Sequence, residues 1–433
     1  MRVAVVAGPD AGHAIPAIAL SLRLAEAGDD PVLFTGERWL GLDLDGVTLA
    51  PLAGLAPRPE DDDADAGARI HARAAHIAAE MLPGLSALLP DLVVSDVLTA
   101  GGGMAAERLG IPWVELSPHP LYLPSRGLPP VGSGLAPGTG LRGRARDAVL
   151  RAATARSIRQ GERERAQARV GIGLAARDPG PAARLVATLP ALEVPRPDWP
   201  AQAHVVGPLL WEPTREVLEP PAGDGPLVMV APSTAATGVP GLLDAVCAGL
   251  GGSGMRIVVA MLEPPERTWP DGVVAGHGRQ DLLLEQADVV VCGGGHGMLA
   301  KALSAGVPAV VVPGGGDQWE LANRAARQGS AVVVRPLDPG ALRAAVDTVL
   351  AEPRFARSAR LAAATAAQVE DPVKVCRGVV RSARAGSSRS RPPGGSCCGW
   401  AKVMVHAYHP WPTRHRPRPP GPRRWGAAPR GGG

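Results

Sequence analysis

The chain has 433 residues, 45% of them apolar and only 3% aromatic, which suits two or three globular domains rather than one small domain. Its net charge of +4 is unevenly spread: residues 381–433 hold eleven Lys/Arg and no Asp/Glu, and without them 34 basic residues face 41 acidic ones, a balance of −7. A mildly acidic body gives no electrostatic ground for nucleic-acid binding, and no run free of charge or of Gly/Pro breaks reaches the length of an integral membrane segment.

In chain order, "RVAVVAG" reads as a strand and "AIPAIALSLRLAEAG" as a helix, with Ile15, Ile18, Leu22 and Ala25 on one stripe and Gly28 closing it. Because Met1-Arg2 leads straight into this strand and not into a secretory leader, the expected location is cytoplasmic. "PVLFTG" is a second strand, "ARIHARAAHIAAEMLPGLSALL" a helix, "DLVVSDVL" a strand, "GGGMAAERLG" a loop and helix, and "IPWVELS" another strand. A Pro/Gly-rich loop over 118–140 precedes a long charged helix or helix pair. A second cycle starts at "PLVMVAPS" and alternates strands with helices as far as "SAVVVRP". Strands apolar on both faces and separated by helices imply parallel sheets covered on both sides, hence an α/β chain of two Rossmann-like domains. We place the first at 1–205 and the second at 206–380. The tail at 381–433, dense in Pro, Gly and Arg, reads as a disordered basic extension. Five cysteines, odd in number and without zinc spacing, point to no metal site or disulfide framework.

One stretch of the second cycle, "VVCGGGHGMLAKALSAGVP", runs from a buried-looking strand through four glycines and a histidine into a helix. Ligands of open α/β sheets bind beyond the carboxyl ends of strands, and a helix N-terminus offers unpaired N–H groups and a positive dipole end. Glycine lets a phosphate come close, although a tight βα turn also needs glycine for purely structural reasons. In the first cycle, His13 follows the first strand and Asp96 ends another, so both emerge at the same sheet edge. A carboxylate on one imidazole nitrogen would leave the other free to take a proton. A histidine near a helix start and an aspartate binding loop amides is the structural alternative.

The motifs occur in an order that resembles the UDP-glycosyltransferase family of GT-B fold, in particular the bacterial macrolide and flavonoid glycosyltransferases. Gly294, Gly295, Gly297, Ala302, Leu303, Gly306, Val307, Pro308, Pro313, Asp317 and Gln318 match the nucleotide-sugar signature. "GHAIPAIALSLRLAEAG" and "DLVVSDVLTAGGGMAAERLGIPWVELS" match the acceptor domain, and the likeness covers residues 1 to about 375. It implies two domains facing across a cleft, with His13 as catalytic base and Asp96 as its partner. It further implies a donor site formed by Ser233, Thr234, His277, Gln280, Gly294, Gly295, His296, Gly297, Asp317 and Gln318, the last two on the sugar hydroxyls. The implied reaction is an inverting displacement that moves a sugar from a nucleotide-diphosphate donor, a UDP-sugar, to a hydroxyl of a small lipophilic acceptor. It needs no cofactor and no metal. Leu121, Tyr122 and Leu123 in the loop over 118–140 are expected to give the acceptor pocket apolar walls.

Departures from the family pattern cluster at the donor site. Gly293 replaces the phosphate-contacting histidine, Met298 the threonine, Lys301 the ribose-holding glutamate, and His277 the base-stacking tryptophan. His296 and Lys301 offer compensation by pairing with phosphate oxygens, and His277 can still stack. Two other functions stay open at this point: a nucleotide-sugar-binding GT-B protein with weak or lost catalysis, and a nicotinamide- or flavin-dependent oxidoreductase. The second is disfavoured because "GPDAGHAIP" lacks the G-x-G-x-x-G spacing and no acidic residue closes "PVLFTG".

Overall fold

The computed structural model describes residues 1–56, 66–234 and 238–389. The first half builds a seven-stranded sheet from β1 (Arg2–Val6), β2 (Asp30–Thr35), β3 (Thr48–Pro51), β4 (Leu92–Asp96), β5 (Trp113–Ser117), β6 (Ala183–Val186) and β7 (Ala203–Val205), in the order β3-β2-β1-β4-β5-β6-β7. Its helices are α1 (Ala11–Glu26), α2 (Ala66–Leu88), α3 (Gly101–Leu109) and α4 (Gly140–Gly171). The second half pairs β8 (Leu227–Ala231), β9 (Arg256–Ala260), β10 (Val273–Gly276), β11 (Val289–Cys292), β12 (Ala309–Val311) and β13 (Ala331–Val333) in the order β10-β9-β8-β11-β12-β13. Around it lie α5 (Leu242–Leu250), α6 (Gln280–Leu284), α7 (His296–Ser304), α8 (Gln318–Gln328), α9 (Pro339–Ala351), α10 (Pro353–Ala364) and α11 (Pro372–Arg389).

Every strand pair is parallel. The central strands are buried on both faces, as their uninterrupted Val/Ala/Leu runs require. Both sheets reverse strand order beside their first strand, at β1/β4 and at β8/β11. These crossover points open the crevices in which doubly wound sheets bind ligands.

The last helix does not pack as the expected 206–380 domain would have it. Val373, Cys376 and Val380 of α11 sit in the core built by Val3, Val5, Ile18 and Leu20 of the first half. Arg377 Nη2 donates to the Ala27 carbonyl at 2.6 Å. Nor does helix end at Arg381, because α11 continues to Arg389 and Arg384 bonds Asp91 at 2.7 Å. The rest of the expected tail, 390–433, lies outside the described residues. Among the described residues no helix is long and apolar enough to cross a membrane.

Candidate active site

The loops after β5 and β6 in the first half meet those after β11 and β12 in the second. Two of the hydrogen bonds that cross the junction join these loops. His296 Nε2 lies 2.8 Å from Thr188 Oγ1, and Tyr122 Oη donates to Asp317 Oδ2 at 3.0 Å.

His13 lies in the first turn of α1, and Asp96 is the last residue of β4, one strand over. Their side chains meet, with His13 Nδ1 2.8 Å from Asp96 Oδ2. Asp96 Oδ1 accepts from the Leu98 N–H at 2.9 Å, so the carboxylate is held at both oxygens and is fully buried. His13 keeps 18% of its side chain exposed, and among the described residues its Nε2 has no hydrogen-bond partner. Burial works against a charged His13 ring. The Asp96 hydrogen bond and charge, joined by the charges of Asp10 and Asp317, outweigh it and raise the pKa above the ordinary histidine value.

On the other side, the turns after β8, β11 and β12 converge. Gly294 has φ +79°, and a Cβ there would stand 2.8 Å from Val311 Cγ1 and 3.2 Å from the Gln318 carbonyl, so this position admits only glycine. Gly295 and Gly297 differ, since a Cβ at either meets nothing within 4 Å. The glycines therefore divide into one that packs protein and two that face open space at the start of α7. Gly293 also has a physical reason: a Cβ there would lie 3.1 Å from Ser233 Cβ, so Ser233 fills the place of a side chain. Gln318, buried at the start of α8, donates through Nε2 to Ser233 Oγ at 3.1 Å and accepts from the Gly314 N–H at 2.9 Å. Ser233, Gly294 and Gln318 thus form one knot, and the neighbouring Thr234 is exposed.

Lys301 is not placed as an open phosphate ligand. Its Nζ donates to Glu212 Oε1 at 2.7 Å and to Gln280 Oε1 at 3.0 Å. Glu212 Oε2 accepts from the Gln280 N–H at 3.1 Å, and Gln280 Nε2 donates to the Ala260 carbonyl at 3.2 Å. Glu212, from the segment joining the halves, was not singled out by sequence reasoning, yet it supplies the carboxylate that neutralises Lys301. His277 opens the turn after β10, with its Nε2 buried and unpartnered among the described residues. Leu218 packs over that turn, where a Cβ on Gly278 would be 2.5 Å from Leu218 Cβ.

His296 begins α7 but faces the first half. Packing around its ring pushes its pKa down to about 3, with the charge of His119 adding and a bond to the Pro118 carbonyl opposing. A neutral ring held by Thr188 is a junction contact and not a cationic phosphate ligand. His119, also missed in the sequence, donates from Nδ1 to the Pro120 carbonyl at 2.8 Å, and burial lowers its pKa. The 118–140 loop also departs from expectation. Leu121 is buried against Val186 and Ala203, and Tyr122 turns its hydroxyl to Asp317. Farther along, Gly134 N–H donates to Glu320 Oε2 at 2.8 Å and Trp319 Nε1 donates to the Ser133 carbonyl at 3.2 Å, docking the loop on α8. A rule that reads Leu-Tyr-Leu as apolar misses a phenol used for its O–H. Among the described residues no group of three or more His, Cys, Asp or Glu is placed to hold a metal ion.

Comparison with known proteins speaks to the family and the fold. Residues 256–381 match the family described as erythromycin biosynthesis protein CIII-like, C-terminal domain. The chain is 30% identical over 423 residues to 4'-demethylrebeccamycin synthase of Lentzea aerocolonigenes, covering 88% of this chain and 99% of that one. It is 32% identical over 188 residues to O-mycaminosyltylonolide 6-deoxyallosyltransferase of Streptomyces fradiae, covering 40% of this chain and 44% of that protein. In three dimensions it is similar to a Streptomyces sp. SF2575 glycosyltransferase solved with thymidine diphosphate, at TM-score 0.62 and 24% identity over 88% of this chain and 99% of that one. The fold is GT-B.

Proposed function

The chain belongs to the bacterial natural-product glycosyltransferase family, and we propose that it transfers a sugar, with inversion, from a pyrimidine nucleoside diphosphate to a hydroxyl of a small lipophilic acceptor. The observation that carries the mechanism is the His13–Asp96 pair at 2.8 Å, with Nε2 of the histidine left for a substrate proton. Nε2 takes the acceptor proton as its oxygen attacks the anomeric carbon. Asp96 stabilises the imidazolium that forms and fixes the ring's orientation. The nucleoside diphosphate leaves from the opposite face, and its growing charge falls on the open turn at Gly295 and Gly297 and on the N–H groups that start α7. Asp317 meets the sugar hydroxyls in this reading, and Gln318, whose amide is bonded to Ser233 and Gly314, braces the turn behind it rather than reaching the sugar as the resemblance implies; Gln280 and His277 lie toward the nucleoside, and Ser233 and Thr234 lie beside the diphosphate.

The sequence resemblance favours uridine as the nucleoside, and the Streptomyces enzyme solved with thymidine diphosphate favours thymidine. Both leaving groups carry the same diphosphate to the same helix end. The proposal is tested by supplying UDP-glucose and thymidine-diphosphate-glucose with a panel of polyketide and flavonoid acceptors. Acceptor-dependent release of free nucleoside diphosphate and a product anomer opposite to the donor's support it. A product that keeps the donor configuration would sink the inverting mechanism, and tight donor binding without release would leave a binding protein.

A further inference from the structure

Tyr122 belongs to the first half, yet its hydroxyl ends on a carboxylate of the second, donating to Asp317 Oδ2 at 3.0 Å. The residue is held on every side. The Leu121 N–H donates to Glu193 Oε2 at 2.6 Å, Arg196 donates to the Leu123 carbonyl at 2.6 Å, and Arg196 also bonds the Leu121 carbonyl. Its ring stacks on His119 at 4.4 Å between centroids, with the Arg324 guanidinium 5.6 Å from the ring centre. Burial, and then the charge of Asp317, keep the phenol well above its ordinary pKa, so it stays a donor. Asp317 Oδ1 receives no hydrogen bond among the described residues. The two oxygens of this carboxylate therefore have different surroundings, one tied across the junction and one untied.

We infer that Tyr122 is a positioning residue for the donor sugar: fixed in the acceptor-side loop, it holds one oxygen of Asp317 and aims the other at a sugar hydroxyl. This rests on Asp317 meeting the sugar, as proposed above. It follows that the acceptor half helps to set affinity for the donor, and that only the sugar portion of the donor senses it. A plug that must swing away to admit the sugar would have the opposite effect. The three backbone bonds at Leu121 and Leu123 speak against such a swing, because they anchor the residues on both sides of the ring.

The test is calorimetric titration of wild type, Tyr122→Phe, Asp317→Asn and the double variant. The probes are UDP-glucose, thymidine-diphosphate-glucose and the two free diphosphates. Loss of about tenfold in sugar-nucleotide affinity in Tyr122→Phe, with free-diphosphate affinity unchanged, is the expected result, on the scale of one hydrogen bond. The double variant should lose no more than Asp317→Asn alone. Equal losses for both ligand types would mark a merely structural tyrosine, and tighter sugar-nucleotide binding would mark a plug; either overturns the inference. If Asp317→Asn weakens sugar-nucleotide binding and Tyr122→Phe does not, the inference falls while the donor-site reading stands. If Asp317→Asn is silent, the reading itself fails.

Discussion

At His13, burial and a carboxylate pull in opposite directions, and the carboxylate prevails, so the free enzyme holds a proton on this ring at higher pH than an ordinary histidine does. A base must be unprotonated to act, so turnover should rise with pH along a limb lying above the ordinary histidine value of 6.5. In Asp96→Asn the effect of burial is no longer offset by the carboxylate, and this limb should move to lower pH while the plateau falls. His13→Ala should cost about 10²–10⁴-fold in kcat with donor binding retained. A limb that stays in place in Asp96→Asn would show that another group is titrating. The glycines offer a second residue-scale contrast. Gly295→Val adds a side chain where no protein atom lies within 4 Å, so it should keep the melting temperature of the wild type and lose nucleotide binding. Gly294→Val forces a side chain onto Val311 and the Gln318 carbonyl from a φ of +79°, so it should lower stability by about 2 kcal/mol or more. Equal thermal losses in the two variants would remove the distinction between packing glycine and ligand-facing glycine.

Helix α7 carries a basic residue where the family resemblance calls for an acidic one, and the segment joining the halves supplies the opposite charge. Lys301 and Glu212 are 11% and 14% exposed in their side chains, enough burial for each to depend on the other. Lys301→Glu sets two carboxylates side by side and should cost about 2 kcal/mol of stability, with part of it recovered by adding Glu212→Lys. Absence of any recovery in the double variant would mean that the pair is incidental. Helix α11 makes a different claim about the chain's end. Truncation after Val380 removes the Arg384–Asp91 pair, whose partners are 69% and 32% exposed, and should cost less than about 1 kcal/mol. Truncation after Asp371 also uncovers the apolar positions beneath Val373, Cys376 and Val380. It should cost roughly 3–5 kcal/mol by lost burial, although it cuts only nine residues further back.

For the whole molecule, the two-sheet plan was legible because long Val/Ala/Leu strands alternate with helices of clear period. The short strands β3, β6, β7 and β10 were not, being three or four residues long with polar or Gly/Pro neighbours. Half of the site could be read locally: a turn shows its glycines, and strand ends show His13 and Asp96. The contacts across the junction could not. Nothing in the neighbourhood of Tyr122, Thr188 or Glu212 in the sequence announces Asp317, His296 or Lys301 as a partner, since these pairs are made by bringing the two sheets together. That junction has an acid-sensitive part. His296 stays neutral down to about pH 3 because the protein around it excludes the charged form, and burial lowers His119 as well. In the unfolded chain both rings take a proton near pH 6.5, so below that value the unfolded state binds more protons than the folded one. Stability must then fall as pH falls, by about 1.4 kcal/mol per pH unit for each proton withheld. His13 acts the other way and in another window: its raised pKa adds stability that is complete below 6.5 and is lost only as pH rises through the folded value. Between pH 6 and 4 it contributes little slope, and although His71 and several ion-paired carboxylates add slope of their own there, the difference between wild type and a His296 variant cancels them and reports His296. His296→Gln removes one of the protonating rings while keeping a group able to bond Thr188. Its stability should fall less steeply than that of the wild type, by about 1.4 kcal/mol per pH unit over that range. Urea unfolding at pH 6, 5 and 4 measures the difference. Parallel lines for the two proteins would mean that His296 takes its proton in the folded state, and that Thr188 does not hold it neutral.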